Sequence, residues 1–524
     1  MSDKALISVR DATFTLLREL GITKVFGNPG STELPMFKDF PSDFSYVLGL
    51  QESVVVGMAD GYAQATHNAA FINLHSAAGV GHAMGNIFTA YRNRTPLVIT
   101  AGQQSRSLLL KEPFLLASQA TELPKPYVKW SCEPARAEDV PAAIARAYYI
   151  AMQPPYGPTF VSIPVDDWEV LTEPVHARKV STTVRAEAAS IDALSAALNA
   201  SQRPVFVIGG AVDREGGWNS LLALAERHGA LVWASPLIGR CGFPEDHPLF
   251  AGFLPAFREE ICKRLDGHDV CLAIGAPVFT YHAEGTGPYT PAGLAVYQLT
   301  EDPDWAACAI VGTAILSSVG TGLRDLLARQ GPAKPAQQQG RPPAPRVPAT
   351  DPFPDTFLMQ TLAEVRAPDS LIVEEAPSSR GPMQAYLPIL QSETFYTCSS
   401  GGLGHGLPAS VGVALANPGK KVIALIGDGS SMYSIQALWT AAQLKLPITF
   451  IIVNNGRYEA LHHFAKRFGL ADAVGTQLGG IDFVGLAQAQ GCDGVRVDKA
   501  ADLAATLREA IAAVRPTLVE VVVG

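Results

Sequence analysis

Charge is scarce in this sequence: Asp, Glu, Lys and Arg together make up 17% of its 524 residues, against about 25% in ordinary soluble domains. What charge there is leans acidic, with 40 Lys and Arg against 49 Asp and Glu for a net −9. That leaves no basic footprint for a phosphate backbone and excludes nucleic acid as a partner class. No CxxC pair occurs, and the seven cysteines are odd in number and scattered. A disulfide framework or a structural zinc does not fit them, whereas reduced, mostly buried thiols of a cytoplasmic protein do. Long apolar runs are absent too. The two longest stretches without Asp, Glu, Lys or Arg, 61–91 and 394–419, are broken by Gly, Ser, Asn and His, so no membrane span is expected. MSDKALISVRD shows no basic segment leading into an apolar one, so no secretory signal is expected. A full GxGxxG is also missing: RPVFVIGGAV at 203–212 comes nearest and supports a dinucleotide site only weakly.

What is there is a long chain that is 48% hydrophobic, enough for two to four domains with much surface buried inside or between chains. Val9, Ala12, Leu16 and Leu20 recur at helical spacing over 8–20, Gly21 is a stop, and KVFG reads as a strand. Helix and strand alternate to about residue 164, and the polar stretch 166–187 reads as a linker. A second unit carries strands in RPVFVIGG, DVCLAIGAPVF and LAVYQLT. The segment 331–354 holds eight prolines and QQQ and reads as an extended linker. The expected organisation is an N-terminal α/β domain at 1–180, a Rossmann-like middle domain at 188–332, a Pro-rich linker at 333–354 and a C-terminal α/β domain at 355–524. Each domain is expected to be a doubly wound parallel sheet. One internal echo, FTAYRNRTPLVITAGQQ against WTAAQLKLPITFIIVNN, suggests that the outer two domains are related.

The strongest chemical signal is KVIALIGDGS, 421–430, followed by a helix marked by Ile435, Leu438, Trp439, Ala442 and Leu446 and then by PITFIIVNNG. A buried strand ending at Gly427 puts Asp428 at the carboxyl edge of a parallel sheet, where such folds bind ligands. Gly427 and Gly429 allow close backbone approach, and Ser430 with the helix N-terminus offers donors to phosphate. Asn455 ends the next strand, so a carboxylate, an amide oxygen and a loop carbonyl can converge on Mg²⁺. An Asp that merely caps a helix has the same local text; the spacing from Asp428 to Asn455 distinguishes the two readings.

This GDGS…NNG pattern resembles the thiamine diphosphate signature of the pyruvate decarboxylase and acetohydroxyacid synthase superfamily. The resemblance implies thiamine diphosphate and Mg²⁺ (or Ca²⁺), the cation held by Asp428, Asn455 and the backbone carbonyl of Arg457. It also implies cofactor contacts at Gly427, Gly429, Ser430, Ser378 and Tyr458. Glu52, in LQESVVVGMADGYAQAT, matches the glutamate that drives the cofactor's aminopyrimidine into its basic form. In SSGGLGHGLP, Leu403 matches the aliphatic wedge beneath the cofactor, with Gly401 supplying a carbonyl to the amino group. VFGNPGSTELPMFKDFP, FINLHSAAGVGHAMGN, TAGQQSR, VKWSCEP and IGAPVFTYH extend the likeness over nearly the whole chain, to the benzoylformate decarboxylase branch. There Ser31, His75 and His282 would be the polar active-site residues, and Leu461, Phe464, Phe114 and Leu115 would line the substrate pocket. The implied reaction is non-oxidative decarboxylation of an aryl 2-oxo acid to the aldehyde and CO₂, with carboligation as a side activity. The implied assembly is a homo-oligomer, a tetramer built as a dimer of dimers, with sites shared between chains.

Departures concern the lining. His463, His405 and His82 stand where the branch has a tryptophan, a phenylalanine and an asparagine. Arg380 and Pro377 fall in a segment usually rich in Ser and Thr, and Thr397 replaces an aromatic residue. These changes raise the expectation of a polar ring substituent met by Arg380 or His463. Alternatives are a related decarboxylase, carboligase or synthase with another substrate, or a non-catalytic cofactor-binding homologue. A nicotinamide dehydrogenase is disfavoured by the missing fingerprint.

Overall fold

A computed structural model describes residues 6–335 and 340–524. The AQQQ stretch of the proline-rich linker, 336–339, lies outside the described residues. Three six-stranded sheets carry the fold, and the chain divides into two compact units. The first comprises residues up to Ser181, Ile372–Ser378 and Ser400–Gly524; the second comprises Thr182–Leu371 and Ser379–Ser399.

The N-terminal sheet of the first unit is parallel throughout. Its strands lie in the order Ser45–Leu48, Lys24–Gly27, Ala70–Leu74, Leu97–Gln103, Pro158–Pro164 and Ser131–Cys132. Counted along the chain this is 2-1-3-4-6-5. The three central strands are buried at every residue, which is why they read as continuous apolar runs, as in sheets covered on both faces. The helix Val9–Glu19 begins where the Ser8 hydroxyl accepts from the Asp11 N–H (3.0 Å) and ends before Gly21 in the left-handed region (φ 74°).

In the C-terminal sheet, Leu371–Glu375, Val422–Gly427, Ile448–Asn454, Thr517–Val522 and Asp493–Val497 neighbour one another in that order. This is the same 1-3-4-6-5 run as in the first sheet, so the echo between Thr89 and Thr440 has a topological counterpart. The helix expected after Gly427 differs: it is two short helices, Asp428–Ser431 and Ala437–Gln443. Helices Glu52–Thr66 and Gly406–Ala416 join the two sheets, nearly backbone to backbone. A Cβ added at Gly61 would lie 2.2 Å from the Ala409 carbonyl oxygen, and one at Gly412 would lie 1.9 Å from that of Met58. Only glycine allows that approach.

The second unit holds a parallel sheet ordered Phe250–Phe253, Leu231–Ala234, Pro204–Ile208, Val270–Ile274, Ala295–Thr300 and Thr313–Leu316. Its 3-2-1-4-5-6 order is that of doubly wound nucleotide-binding sheets, although the glycine fingerprint is missing. The stretch 166–187 is less linker-like than its composition suggests. Trp168 is 2% exposed within the first core, and Leu171–Thr172 pairs with Ile7–Ser8.

Candidate functional site

Two groups of polar residues gather at the carboxyl edge of the N-terminal sheet, and others gather at that of the C-terminal sheet. In sheets of this order ligands bind where strands 1 and 3 diverge, because the connections after them leave toward opposite faces.

In the N-terminal sheet that point is formed by the GNPGSTE turn after Lys24–Gly27 and by His75 after Ala70–Leu74. His75 Nδ1 lies 2.8 Å from Glu33 Oε2 and 3.2 Å from Thr32 Oγ1. Glu33 in turn accepts from the N–H groups of Gly30 and Gly102, both at 2.9 Å, and from the Thr32 hydroxyl at 2.6 Å. Ser31 stands exposed in the same turn, beside this network. Glu52 opens the helix Glu52–Thr66, whose first N–H groups, those of Ser53 and Val54, are capped by the Gln51 side chain at 2.7 and 3.1 Å. Its Oε2 is 3.1 Å from His82 Nδ1. Gly79 makes room for it, since a Cβ there would approach Glu52 Oε1 to 3.3 Å.

At the corresponding point of the C-terminal sheet, Asp428 is buried. Its Oδ1 accepts from the Gly429 N–H (2.7 Å), and Oδ2 from those of Gly456 (2.8 Å) and Asn455 (3.2 Å). Burial pushes the Asp428 carboxyl above its ordinary pKa, and the backbone N–H groups pull it back. Asn455 Oδ1 accepts from the Arg457 N–H at 3.1 Å, and the Arg457 side chain pairs with Glu459. The Tyr458 ring packs on Gly429, where a Cβ would meet Cε1 at 2.3 Å. Ser430 is buried in the short helix that starts at Asp428. Among the described residues no group of three or more His, Cys, Asp or Glu could hold a metal. The donors here are one carboxylate, one carboxamide oxygen and one backbone carbonyl. Such hard oxygens suit Mg²⁺ or Ca²⁺ and not zinc, and a buried carboxylate held by neutral donors alone is a fitting partner for a cation.

The glycine loop lies in the same unit. Gly401 and Gly404 adopt φ of 73° and 98°, and Leu403 between them is half-buried. Glu375, at the end of its strand, accepts the N–H groups of Gly404 (2.6 Å), His405 (2.7 Å) and Gly406. Asn86 donates to the carbonyls of Ser53 (2.7 Å) and Gly404 (3.1 Å), tying the Glu52 helix to this loop. The fully buried His405 contacts Asp60 through Nε2.

Other residues singled out from sequence are more dispersed. Phe114 is 86% and Leu461 50% exposed; Leu461 and Phe464 share the helix Glu459–Arg467 with the exposed His463. The Leu115 carbonyl accepts from the Ser76 hydroxyl at 2.7 Å. Ser378 is half-buried in the first unit. His282 belongs to the second unit, where its exposed residue donates its N–H to the Ala256 carbonyl (2.9 Å). Arg380 lies there too and donates to the Thr397 hydroxyl at 2.8 Å. Sequence reasoning missed Glu33, Asp60 and Glu375. Glu33 lies two residues past a singled-out serine, but a lone glutamate in a turn carries no spacing signal.

Three family descriptions match the chain: the N-terminal TPP binding domain of thiamine pyrophosphate enzymes over 7–121, their central domain over 191–326 and their C-terminal TPP binding domain over 378–521. The chain is 43% identical to a benzoylformate decarboxylase of Pseudomonas aeruginosa, covering 98% of both. A crystal structure of benzoylformate decarboxylase from Polynucleobacter necessarius superposes with a TM-score of 0.97 at 40% identity, covering 98% of each chain. The 4-hydroxybenzoylformate decarboxylase of Rhodococcus jostii RHA1 superposes with a TM-score of 0.96 at 40% identity, covering 99% of each. Acetolactate synthase large subunits, that of isozyme 3 of Escherichia coli among them, align at 25–27% identity.

Proposed function

The chain belongs to the thiamine pyrophosphate enzyme family, within its benzoylformate decarboxylase group, and from that premise we propose that it decarboxylates an aryl 2-oxo acid to the aldehyde and CO₂. The observation that carries this reading is the pairing of a histidine with a buried carboxylate at one sheet edge and of Asp428 with Asn455 at the other, in a chain 43% identical to a benzoylformate decarboxylase.

Thiamine diphosphate, when bound, supplies a thiazolium that accepts the electron pair left as CO₂ departs. The chain's own residues do the rest. Asp428, Asn455 and the Arg457 carbonyl hold Mg²⁺ or Ca²⁺, and Gly427, Gly429, Ser430, Ser378 and Tyr458 surround the diphosphate. Leu403 would support the bound cofactor, and the Gly401 carbonyl would accept from its amino group. Glu52 hydrogen-bonds the pyrimidine nitrogen; its place in the first helical turn beside His82 keeps its carboxyl oriented. Ser31 binds the substrate carboxylate, and His75 and His282 exchange protons with the reacting carbon and oxygen, a task suited to imidazole, which can both donate and accept a proton. Leu461, Phe464, Phe114 and Leu115 face the aryl ring. The exposure of Phe114 and Leu461 in the single chain, together with the low overall charge, supports a homo-oligomer whose sites are completed by a second copy.

The test is a substrate panel of benzoylformate, 4-hydroxybenzoylformate and pyruvate. The aryl acids are expected to give kcat/KM at least ~10-fold above pyruvate, with aldehyde as product, since filling an apolar pocket with a ring discriminates by 1–3 kcal/mol or more. Preference for pyruvate with acetolactate as product would overturn the reading.

A further inference from the structure

We infer that Glu33 is a positioning residue for His75, holding the imidazole in the tautomer with its proton on Nδ1 so that Nε2 is the nitrogen that exchanges protons in the reaction. The inference rests on the proposed role of His75 and adds a residue to it.

The geometry is specific. The Glu33 side chain is fully buried, and its one ion pair among the described residues is with His75, at 2.8 Å. A buried carboxylate is costly to keep ionised unless donors surround it. Here the Gly30 and Gly102 N–H groups and the Thr32 hydroxyl supply three, and the imidazole Nδ1–H supplies a fourth. Because the Thr32 hydroxyl donates to Glu33, its oxygen, 3.2 Å away, is left as a second acceptor toward Nδ1. Both neighbours of Nδ1 are therefore acceptors, which selects the Nδ1–H form; the bond made by one ring nitrogen dictates the state of the other. The other titratable group facing the carboxylate is Tyr46, whose phenol is pushed up by burial and by the charge on Glu33.

The backbone is shaped around the pair. A Cβ at Gly30 would sit 2.2 Å from His75 Nδ1, and one at Gly102 would sit 2.0 Å from Glu33 Oε1. Glu33 also ties its own turn to the strand Leu97–Gln103 through the Gly30 and Gly102 N–H groups, so a purely structural role is the alternative to be separated.

Glu33→Gln, Glu33→Asp and His75→Ala separate them. In the first, the carboxamide fills the same volume but its NH₂ can face Nδ1 and lift the preference for Nδ1–H. The readout is the tautomer and titration of ¹⁵N-labelled His75 in the cofactor-free protein, with kcat and KM against pH in the loaded enzyme. Glu33→Gln is expected to lose the Nδ1–H signature and reduce kcat about 10–100-fold with KM little changed. Glu33→Asp, which keeps the charge, is expected to recover the tautomer signature and part of kcat. An unchanged His75 tautomer in Glu33→Gln would overturn the inference, as would equal losses in the Gln and Asp variants. Full activity in His75→Ala would instead remove the proposed role of His75, while the NMR result would still report on the pair.

Discussion

Gly30 and His75 compete for one volume, so the smallest side chain added at residue 30 drives into the imidazole. Gly30→Ala is expected to destabilise the protein by about 1–3 kcal/mol, the usual cost of overpacking, and to lower kcat because the ring must turn away. Thermal unfolding and steady-state kinetics check both; a variant with unchanged kcat would show that the ring position is not tied to this turn. The contrast between Asp428 and Glu33 explains what was legible at this scale. Asp428 and Asn455 follow apolar strands at a fixed separation, so spacing alone set them on neighbouring strand ends, and the structure puts the Asn455 N–H 3.2 Å from the Asp428 carboxylate. Glu33 finds His75 across 42 residues, and no periodicity links a turn residue to a strand end so far along the chain.

Helices Glu52–Thr66 and Gly406–Ala416 bury a polar cluster that the sequence read only as an unusual histidine. Asp60 and His405 are fully buried and in contact, and the Glu375 carboxylate receives the His405 N–H. Burial opposes both charges, but each partner holds the other ionised: the His405 imidazole lies above its ordinary pKa, with Glu375 adding to the effect, and the Asp60 carboxyl below its own. Removing the imidazole by His405→Ala leaves Asp60 buried without its counter-charge. The expected cost is about 3–5 kcal/mol, read as a shift in the urea unfolding midpoint; no shift would mean that Asp60 finds another partner. The sign of the pH effect follows from the direction for His405. Stability from the protonated imidazole is complete below its unfolded pKa of about 6.5 and is lost as pH rises through the higher folded value. Tm should therefore fall on going from neutral to alkaline pH in the wild type, and less so in His405→Gln; parallel declines would contradict the charged pair.

Across the whole molecule, alternation of helices and strands sufficed to foresee three parallel sheets, because the central strands are continuous apolar runs and most of the crossovers contain a helix. The order of the strands was not readable, since periodicity says nothing about which strand neighbours which. The 1-3-4-6-5 run shared by the two outer sheets gives the faint echo around Thr89 and Thr440 its meaning: the switch point in one places His75 and Glu33, and the equivalent point in the other places Asp428. Two short helices stand where one was expected after Asp428, and the buried Trp168 shows that a polar stretch can still be anchored by one large side chain. The central claim is that this chain is a thiamine diphosphate-dependent aryl 2-oxo acid decarboxylase, and the most direct test measures CO₂ release from benzoylformate with and without added thiamine diphosphate and Mg²⁺, for the wild type and for Glu52→Gln. The account predicts release that requires both additions and falls about 100-fold or more in the variant; release indifferent to the cofactor and to the substitution would contradict it.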